Sequence, residues 1–204
     1  MSIPRFLLLI TLTLTASLVN AKTILVMGDS LSAAYNMPAK QGWVALLDKR
    51  LEQASHSHRI INASISGDTT SGGLARLPQA LQSYQPDIVI LALGANDGLR
   101  ALPLANMKQN LTEMINLTEL QGSQVLLAGM QLPPNYGPYY TNRFKAIYQE
   151  LAAQYAIPLV PFFLEDVGGV DALIQSDGLH PNAKAQSIIL DNVWTHLEPL
   201  LNTN

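Results

Sequence analysis

Residues 23–30 read TILVMGDS, an apolar run that ends on glycine, aspartate and serine. A short, continuously apolar run that closes on glycine is typical of a strand buried on both faces of a parallel sheet. Four further runs share the pattern, at residues 59–65, 87–93, 124–130 and 158–163. The chain therefore contains five candidate strands.

Amphipathic helix patterns separate these runs. They lie at residues 43–51, 104–115, 144–155 and 182–200. Another pattern covers residues 74–84, where Pro78 lies early, so that helix is expected to break or to begin there. Strands that alternate with helices in this way predict a doubly wound α/β/α layer fold in a single domain.

The first 21 residues have the organisation of a secretory signal peptide. Arg5 precedes an apolar run of about fourteen residues, and VNA at residues 19–21 suits cleavage after Ala21. A transmembrane span requires about twenty apolar residues. We therefore expect a removed leader, a single domain at residues 22–204 with no stable membrane anchor, and a periplasmic or secreted protein.

The composition argues against several kinds of protein. The chain has no cysteine, which excludes disulfides, a thiolate nucleophile and cysteine-ligated metals. The 12 basic and 15 acidic residues are scattered, without the basic cluster that nucleic-acid binding requires. The chain also lacks the glycine-rich phosphate-binding motifs. We expect no nucleic-acid partner, and a monomer by default.

Small polar residues follow each of the first three strands: GDS at residues 28–30, SGD at 66–68 and GAND at 94–97. In open parallel sheets, ligands bind at the carboxyl ends of the strands, so these residues are expected to meet at one rim. Ser30 lies between a strand and a helix pattern and is the candidate nucleophile. A serine in this place can also act only as a helix cap.

A serine nucleophile needs a base to take its proton. Asp177 precedes His180 by three residues, so a tight turn can bring the carboxylate to the imidazole, as a catalytic triad requires. An Asp-Gly pair is also common in ordinary turns. The other histidines are expected to be surface or packing residues: His56 and His58 in a polar loop, and His196 in the last helix.

Acyl transfer also requires hydrogen-bond donors for the oxyanion that forms. The expected donors are the backbone N–H groups of Ser30 and Gly67 and the side-chain amide of Asn96. Residues 130–140 follow the fourth strand at the same rim, where they either line an acyl groove or only brace the loop. The residues expected to contact substrate are Asp29, Leu132, Pro133, Asn135 and Tyr136.

In this order, the motifs resemble those of the SGNH, or GDSL-type, hydrolases. The four residues that name the family map to Ser30, Gly67, Asn96 and His180, with Asp177 as the triad acid. The G-x-S-x-G motif of ordinary α/β-hydrolases is absent. The resemblance implies a flavodoxin-like three-layer α/β/α sandwich with a mostly parallel five-stranded sheet.

The resemblance extends to a bacterial periplasmic subgroup with thioesterase, protease, lysophospholipase and arylesterase activities. NASISGDT at residues 62–69 and NDGLR at residues 96–100 carry it. It implies hydrolysis of small-molecule acyl esters and thioesters without a metal or organic cofactor. Residues 164–175 depart from the family's pattern, which bears on the pocket rim and the preferred chain length.

Two other functions fit the same fold. A carbohydrate acetylesterase would need an open, polar cleft with aromatic platforms for sugar, which LPP at residues 132–134 does not favour. A non-catalytic periplasmic binding protein would not need a nucleophile, a base and two oxyanion donors together.

Overall fold

The computed structural model describes residues 21–53 and 58–202, which form a five-stranded sheet with helices on both faces. The strands are β1 (Thr23–Gly28), β2 (Arg59–Asn62), β3 (Ile88–Ala92), β4 (Gln124–Ala128) and β5 (Leu159–Val160). The helices are α1 (Trp43–Gln53), α2 (Thr70–Tyr84), α3 (Ala95–Leu99), α4 (Leu104–Leu120), α5 (Pro138–Tyr155) and α6 (Gln186–Leu201).

All strand pairs are parallel, and the order across the sheet is β2-β1-β3-β4-β5. After β1 the chain continues to β2 on one side, and β3 then returns to the other side of β1. The loops that follow β1 and β3 therefore leave the sheet at a switch point, where open α/β sheets form ligand crevices. The pairing of Gly28 with Ala92 brings the ends of these two strands to the same edge.

The helices form two layers around this sheet. Helices α1 and α6 pack together on one face, while α2 and α4, with α5 beside α4, cover the other. The predicted three-layer α/β/α sandwich is confirmed. Large side chains fill the core, with Trp43 edge-to-face on Phe163 in one layer and Phe144 edge-to-face on Tyr148 in the other.

The prediction that Pro78 breaks or begins a helix is wrong, because α2 continues through it. Proline inside a helix costs about 3 kcal/mol. Leu77 and Leu81, on either side of it, are buried in the core. Burying a leucine stabilises by about 1.5–3 kcal/mol, so the packing of this face offsets the cost of the proline.

Several other elements also differ in extent from the sequence prediction, and β5 and α6 bear on the site. Strand β5 has only two residues, although the apolar run continues to Phe163, which is buried in the core instead. Helix α6 begins at Gln186 rather than at residue 182. The preceding residues form turns, because Pro181 bridges to Ile174 and Asn182 donates its backbone N–H to the Leu173 carbonyl.

The part of the chain that the structure describes has no helix long and apolar enough to cross a bilayer. The predicted leader at residues 1–21 lies outside that part, except for Ala21, and its cleavage stays a prediction. His56 also lies outside the described residues.

Candidate active site

Ser30 follows the end of β1, at the start of a helical turn. The carbonyl of Asp29 accepts the N–H groups of Ser32 and Ala33, and the Asp29 Oδ1 accepts the N–H of Leu31 at 3.0 Å. Gly28 is needed where the chain turns, because a Cβ at this position would lie 2.8 Å from atoms of Ser32. The turn places the Ser30 side chain at the sheet edge, mostly buried.

His180 and Asp177 lie in the loop that precedes α6. Oδ1 of Asp177 accepts the backbone N–H groups of Leu179 at 2.9 Å and His180 at 3.0 Å, which fixes the carboxylate against its own turn. Oδ2 lies 2.7 Å from Nδ1 of His180. The backbone hydrogen bonds from His180 and Leu179, followed by the contact with the imidazole, lower the pKa of Asp177 to about 2.

The same imidazole reaches Ser30 with its other nitrogen. Nε2 of His180 lies 2.9 Å from the Ser30 Oγ, so the three side chains form one continuous hydrogen-bonded chain. An ionised Asp177 accepts the proton on Nδ1, which leaves Nε2 free to accept the Ser30 hydroxyl. The fold thus joins two segments that lie 150 residues apart.

Two of the other histidines lie in described parts of the chain, and neither contacts Ser30. Nδ1 of His58 accepts the backbone N–H of Lys22 at 2.9 Å, at the start of β1 and away from the Ser30 end. His58 is half-buried, in the loop that precedes β2. His196 is partly buried in α6, and desolvation lowers its pKa.

The predicted oxyanion donors lie around the same crevice. Ser30, Gly67 and Asn96 all line one cavity. Gly67 has a φ of 79°, a conformation that favours glycine, and its carbonyl accepts a hydrogen bond from Arg100 at 2.8 Å. Nδ2 of Asn96 donates to the Asp68 carbonyl at 2.9 Å and to Oδ2 of Asp29 at 3.2 Å.

Arg76 holds the loops that carry these donors, a role that the sequence motif did not reveal. Its Nε donates to Oδ2 of Asp68 at 2.8 Å, and one terminal nitrogen donates to the Gly28 carbonyl at 3.2 Å. The other terminal nitrogen donates to the Ala63 carbonyl. One side chain therefore ties the end of β1 to the loop after β2, where Gly67 lies.

Asp29 lies in the floor of the crevice, with its carboxyl group bonded to protein atoms. The residue is fully buried, and its oxygens accept hydrogen bonds from Leu31 and Asn96. Burial raises the pKa of Asp29 to about 7, even though both hydrogen bonds act to lower it. Its observed contacts hold Asn96 and the Ser30 turn in place.

This buried carboxyl makes the stability of the protein depend on pH. An unfolded aspartate titrates near ~3.9, so between that pH and about 7 the folded protein keeps a proton that the unfolded chain has released. The contribution of Asp29 to the free energy of unfolding therefore decreases as pH rises through this range. From pH 5 to pH 8 we expect the free energy of unfolding to fall by roughly 2.6 kcal/mol through Asp29 alone.

Urea unfolding of the wild type and of Asp29→Asn at pH 5, 6, 7 and 8 measures this effect. The asparagine does not titrate, and all other groups are shared, so the difference between the two proteins isolates residue 29. We expect the stability of the wild type, relative to that of the variant, to decline as pH rises. A difference that is the same at every pH would contradict the raised pKa.

The cavity beside Ser30 has a volume of about 840 Å³ and a mainly apolar wall. Leu132 and Pro133 line it, whereas Asn135 and Tyr136 do not. The Tyr136 hydroxyl donates to the Leu99 carbonyl at 2.9 Å and its ring stacks on Tyr140, so this residue braces the loop. Segments 130–140 and 164–175, which the sequence analysis connected with the pocket, contribute Met130, Leu164, Gly168, Gly169 and Ile174 to the lining. Lining residues that the sequence did not indicate are Tyr35, Leu99, Phe162 and Leu179.

The sequence indicated these two segments but not the complete wall, because the wall is assembled from loops that are far apart along the chain. Within the described ranges, 21–53 and 58–202, no three histidine or carboxylate side chains are grouped so that they could hold a metal ion.

The fold and this constellation define a class of serine hydrolase, and comparison with known proteins gives the family. Residues 26–188 match the GDSL-like lipase/acylhydrolase family. The chain belongs to this family, the SGNH hydrolases, and it is an enzyme that acts on small-molecule esters.

Individual relatives are similar over most of their length. Esterase TesA of Pseudomonas aeruginosa is 53% identical over 181 residues, covering 89% of this chain and 90% of the relative. The Escherichia coli K12 thioesterase 1/protease 1/lysophospholipase L1 is 43% identical, covering 97% of this chain and 92% of the relative. The crystal structure of the psychrotrophic esterase EstA from Pseudoalteromonas, inhibited by monoethylphosphonate, superposes with a TM-score of 0.85 at 40% identity, covering 89% and 100%.

Proposed function

We propose that this protein hydrolyses acyl esters and thioesters through an acyl-enzyme on Ser30. The observation that carries the proposal is the hydrogen-bonded chain from Asp177 through His180 to Ser30, with heavy-atom distances of 2.7 and 2.9 Å. A hydroxyl in hydrogen-bond contact with a base, which a third group orients, is the arrangement that activates a serine nucleophile.

In the first half of the reaction, Nε2 of His180 takes the Ser30 proton as Oγ attacks the acyl carbonyl. The imidazole becomes positively charged, and Asp177 stabilises it at Nδ1. The lowered pKa of Asp177 keeps this carboxylate ionised over the whole neutral range. His180 then gives its proton to the departing alcohol or thiol, which leaves the acyl group on Ser30.

In the second half, water replaces the leaving group. His180 takes a proton from the water as the water oxygen attacks the acyl carbonyl. His180 then returns this proton to the Ser30 Oγ as the carboxylic acid is released. In both halves the oxyanion is stabilised by the N–H groups of Ser30 and Gly67 and by the Asn96 amide. To donate to the oxyanion, the Asn96 amide would give up the longer of its two hydrogen bonds, the one of 3.2 Å to Asp29.

The apolar cavity wall favours an acyl chain over an acetylated sugar, because a sugar offers few apolar groups to such a wall. Each buried methylene contributes about 0.8 kcal/mol. A hexanoyl ester has four methylenes more than an acetyl ester, so its kcat/KM should be at least ~10-fold higher if the chain enters the cavity. The names of the two sequence relatives, an esterase and a thioesterase, agree with this substrate class.

The experiment is a series of p-nitrophenyl esters with two to sixteen acyl carbons, run beside acyl-CoA thioesters and acetylated xylan. We expect hydrolysis of esters and thioesters, with a maximum beyond the acetyl chain. Activity confined to acetylated xylan would favour the carbohydrate acetylesterase instead, and no hydrolysis of any substrate would contradict the proposal.

We also propose that the protein is exported to the periplasm as a monomer. The signal-peptide pattern of residues 1–21 supports export, and the family match begins after it, at residue 26. The mature protein from a periplasmic fraction should begin at Lys22 and have the mass of one chain by light scattering. An uncleaved chain in the cytoplasm, or a stable dimer, would contradict these statements.

A further inference from the structure

An aromatic side chain covers one face of the His180 ring. The ring centroids of Tyr35 and His180 are 4.4 Å apart, and their planes are tilted by 35°. Tyr35 lines the cavity but remains 44% exposed. This ring therefore lies at the mouth of the crevice, where the burial of apolar surface alone does not account for its position.

The backbone on both sides of Tyr35 has an unusual conformation. Ala34 and Asn36 each have a φ of 55°, in the left-handed region. Alanine rarely adopts this conformation, because its Cβ then lies too close to the following carbonyl. Such conformations persist where the surrounding structure fixes them, and they cluster at functional sites.

The side chain of Gln175 fixes this segment to the loop that carries His180. Its Nε2 donates to the carbonyls of Tyr35 and Pro181, both at 3.0 Å. Its Oε1 accepts a hydrogen bond from Asn36 at 3.2 Å, and its backbone N–H donates to the His180 carbonyl at 2.7 Å. Gln175 is thus hydrogen-bonded to the backbone of both residues whose rings stack, Tyr35 and His180.

We propose that Tyr35 is a positioning residue, whose ring face stabilises the positively charged imidazole that His180 forms as it takes the Ser30 proton. The face of an aromatic ring is electron-rich and attracts a cation. The contact is therefore stronger with charged than with neutral imidazole. The inference rests on the proposed role of His180 as the base.

The two hydrogen-bond partners of the His180 ring approach it at its edges. Asp177 lies at Nδ1 and the Ser30 hydroxyl at Nε2. In the described part of the chain, Asp177 is the one charged side chain in hydrogen-bond or ion-pair contact with this imidazole. Removing the Tyr35 ring leaves both of these contacts in place, so its effect can be measured separately.

Tyr35→Leu removes the aromatic face, and Tyr35→Phe is the matched control. The Tyr35 hydroxyl has no hydrogen-bond partner among the described residues, so phenylalanine keeps the proposed interaction. For Tyr35→Leu we expect kcat to fall by about two- to fivefold. The midpoint of the acid limb of kcat/KM should move down by about 0.4–0.7 pH unit. Tyr35→Phe should match the wild type in both.

The acid limb separates this role from a simple contact with substrate. The pH dependence of kcat/KM reports the free enzyme, so the loss of a substrate contact would raise KM without moving the midpoint. A general loss of structure would also lower the rate without a specific shift. A midpoint in Tyr35→Leu that equals the wild-type value, or a Tyr35→Phe variant that behaves like Tyr35→Leu, would overturn the proposal.

A second measurement does not depend on activity. The titration of His180 is followed by NMR in Ser30→Ala, with and without Tyr35→Leu. The Cε1–H resonance of His180 is assigned by its absence in His180→Gln. We expect the same downward movement of the midpoint, and equal midpoints would overturn the stacking role. If the wild type hydrolyses no ester, the proposed function fails, yet this titration still decides whether Tyr35 stabilises the charged imidazole.

Discussion

Replacing Ser30 with alanine should lower kcat/KM for p-nitrophenyl hexanoate by about 10⁴- to 10⁶-fold. Its Oγ is the oxygen that lies 2.9 Å from Nε2 of His180, in the cavity that Gly67 and Asn96, the proposed oxyanion donors, also line. Without it no acyl-enzyme can form. The residual activity would come from substrate binding and oxyanion stabilisation alone.

Ser32→Ala is the matched control, two residues further along the same turn. The Ser32 hydroxyl is buried and accepts a hydrogen bond from the Trp43 indole at 3.2 Å. Its loss leaves that indole unsatisfied and should cost about 1–3 kcal/mol of stability. The rate should stay within a few fold of wild type. The assignment of the nucleophile is wrong if Ser30→Ala keeps wild-type rates while Ser32→Ala loses activity.

Replacing Asp177 with asparagine should lower kcat by about 10³- to 10⁴-fold while the loop keeps its shape. The asparagine oxygen can still accept the backbone N–H groups of Leu179 and His180, which occupy Oδ1 in the wild type. Its amide nitrogen then faces Nδ1 and donates to it. The imidazole is left with its proton on Nε2, where it cannot accept the Ser30 hydroxyl.

The loss should persist across the pH range in which the enzyme works. The pKa of Asp177 is about 2, so the wild-type carboxylate is ionised at every pH from 5 to 9. The asparagine of the variant is neutral throughout this range, so the two proteins differ by the same charge at every pH. Asp171→Asn serves as control, because Asp171 also lines the cavity but is exposed, and among the described residues it makes no hydrogen bond or ion pair with His180. Equal rates for the two variants would show that Asp177 does not orient the base.

The sequence predicted those features that depend on short, local patterns. Strands β1 and β3 are buried along nearly their whole length, so their apolar runs were unambiguous. The spacing of Asp177 and His180 predicted their contact, because a single turn makes it. Pro78 was misjudged, because the packing of its neighbours outweighs its local preference.

The sequence motifs predicted which loops meet at the rim, but not the individual side-chain contacts between those loops. Tyr35 contacts His180 across two segments that Gln175 joins. Tyr136 was expected to contact substrate from its place in an aromatic loop, but it does not line the cavity, and its hydroxyl is bonded to the Leu99 carbonyl. Which side of a loop a residue occupies depends on backbone geometry that no periodicity encodes.

The central claim is that the acyl group is carried on the oxygen of Ser30. In the most direct measurement, the enzyme is treated with a p-nitrophenyl ethylphosphonate, and the adduct is mapped by peptide mass spectrometry. The Oγ of an activated serine attacks the phosphorus, p-nitrophenolate leaves, and the phosphonyl group stays on the serine. We predict one phosphonyl group per chain on Ser30, loss of esterase activity in proportion to labelling, and no label on Ser30→Ala. Full inactivation with the adduct on another residue, or hydrolysis that persists with Ser30 fully labelled, would contradict the account.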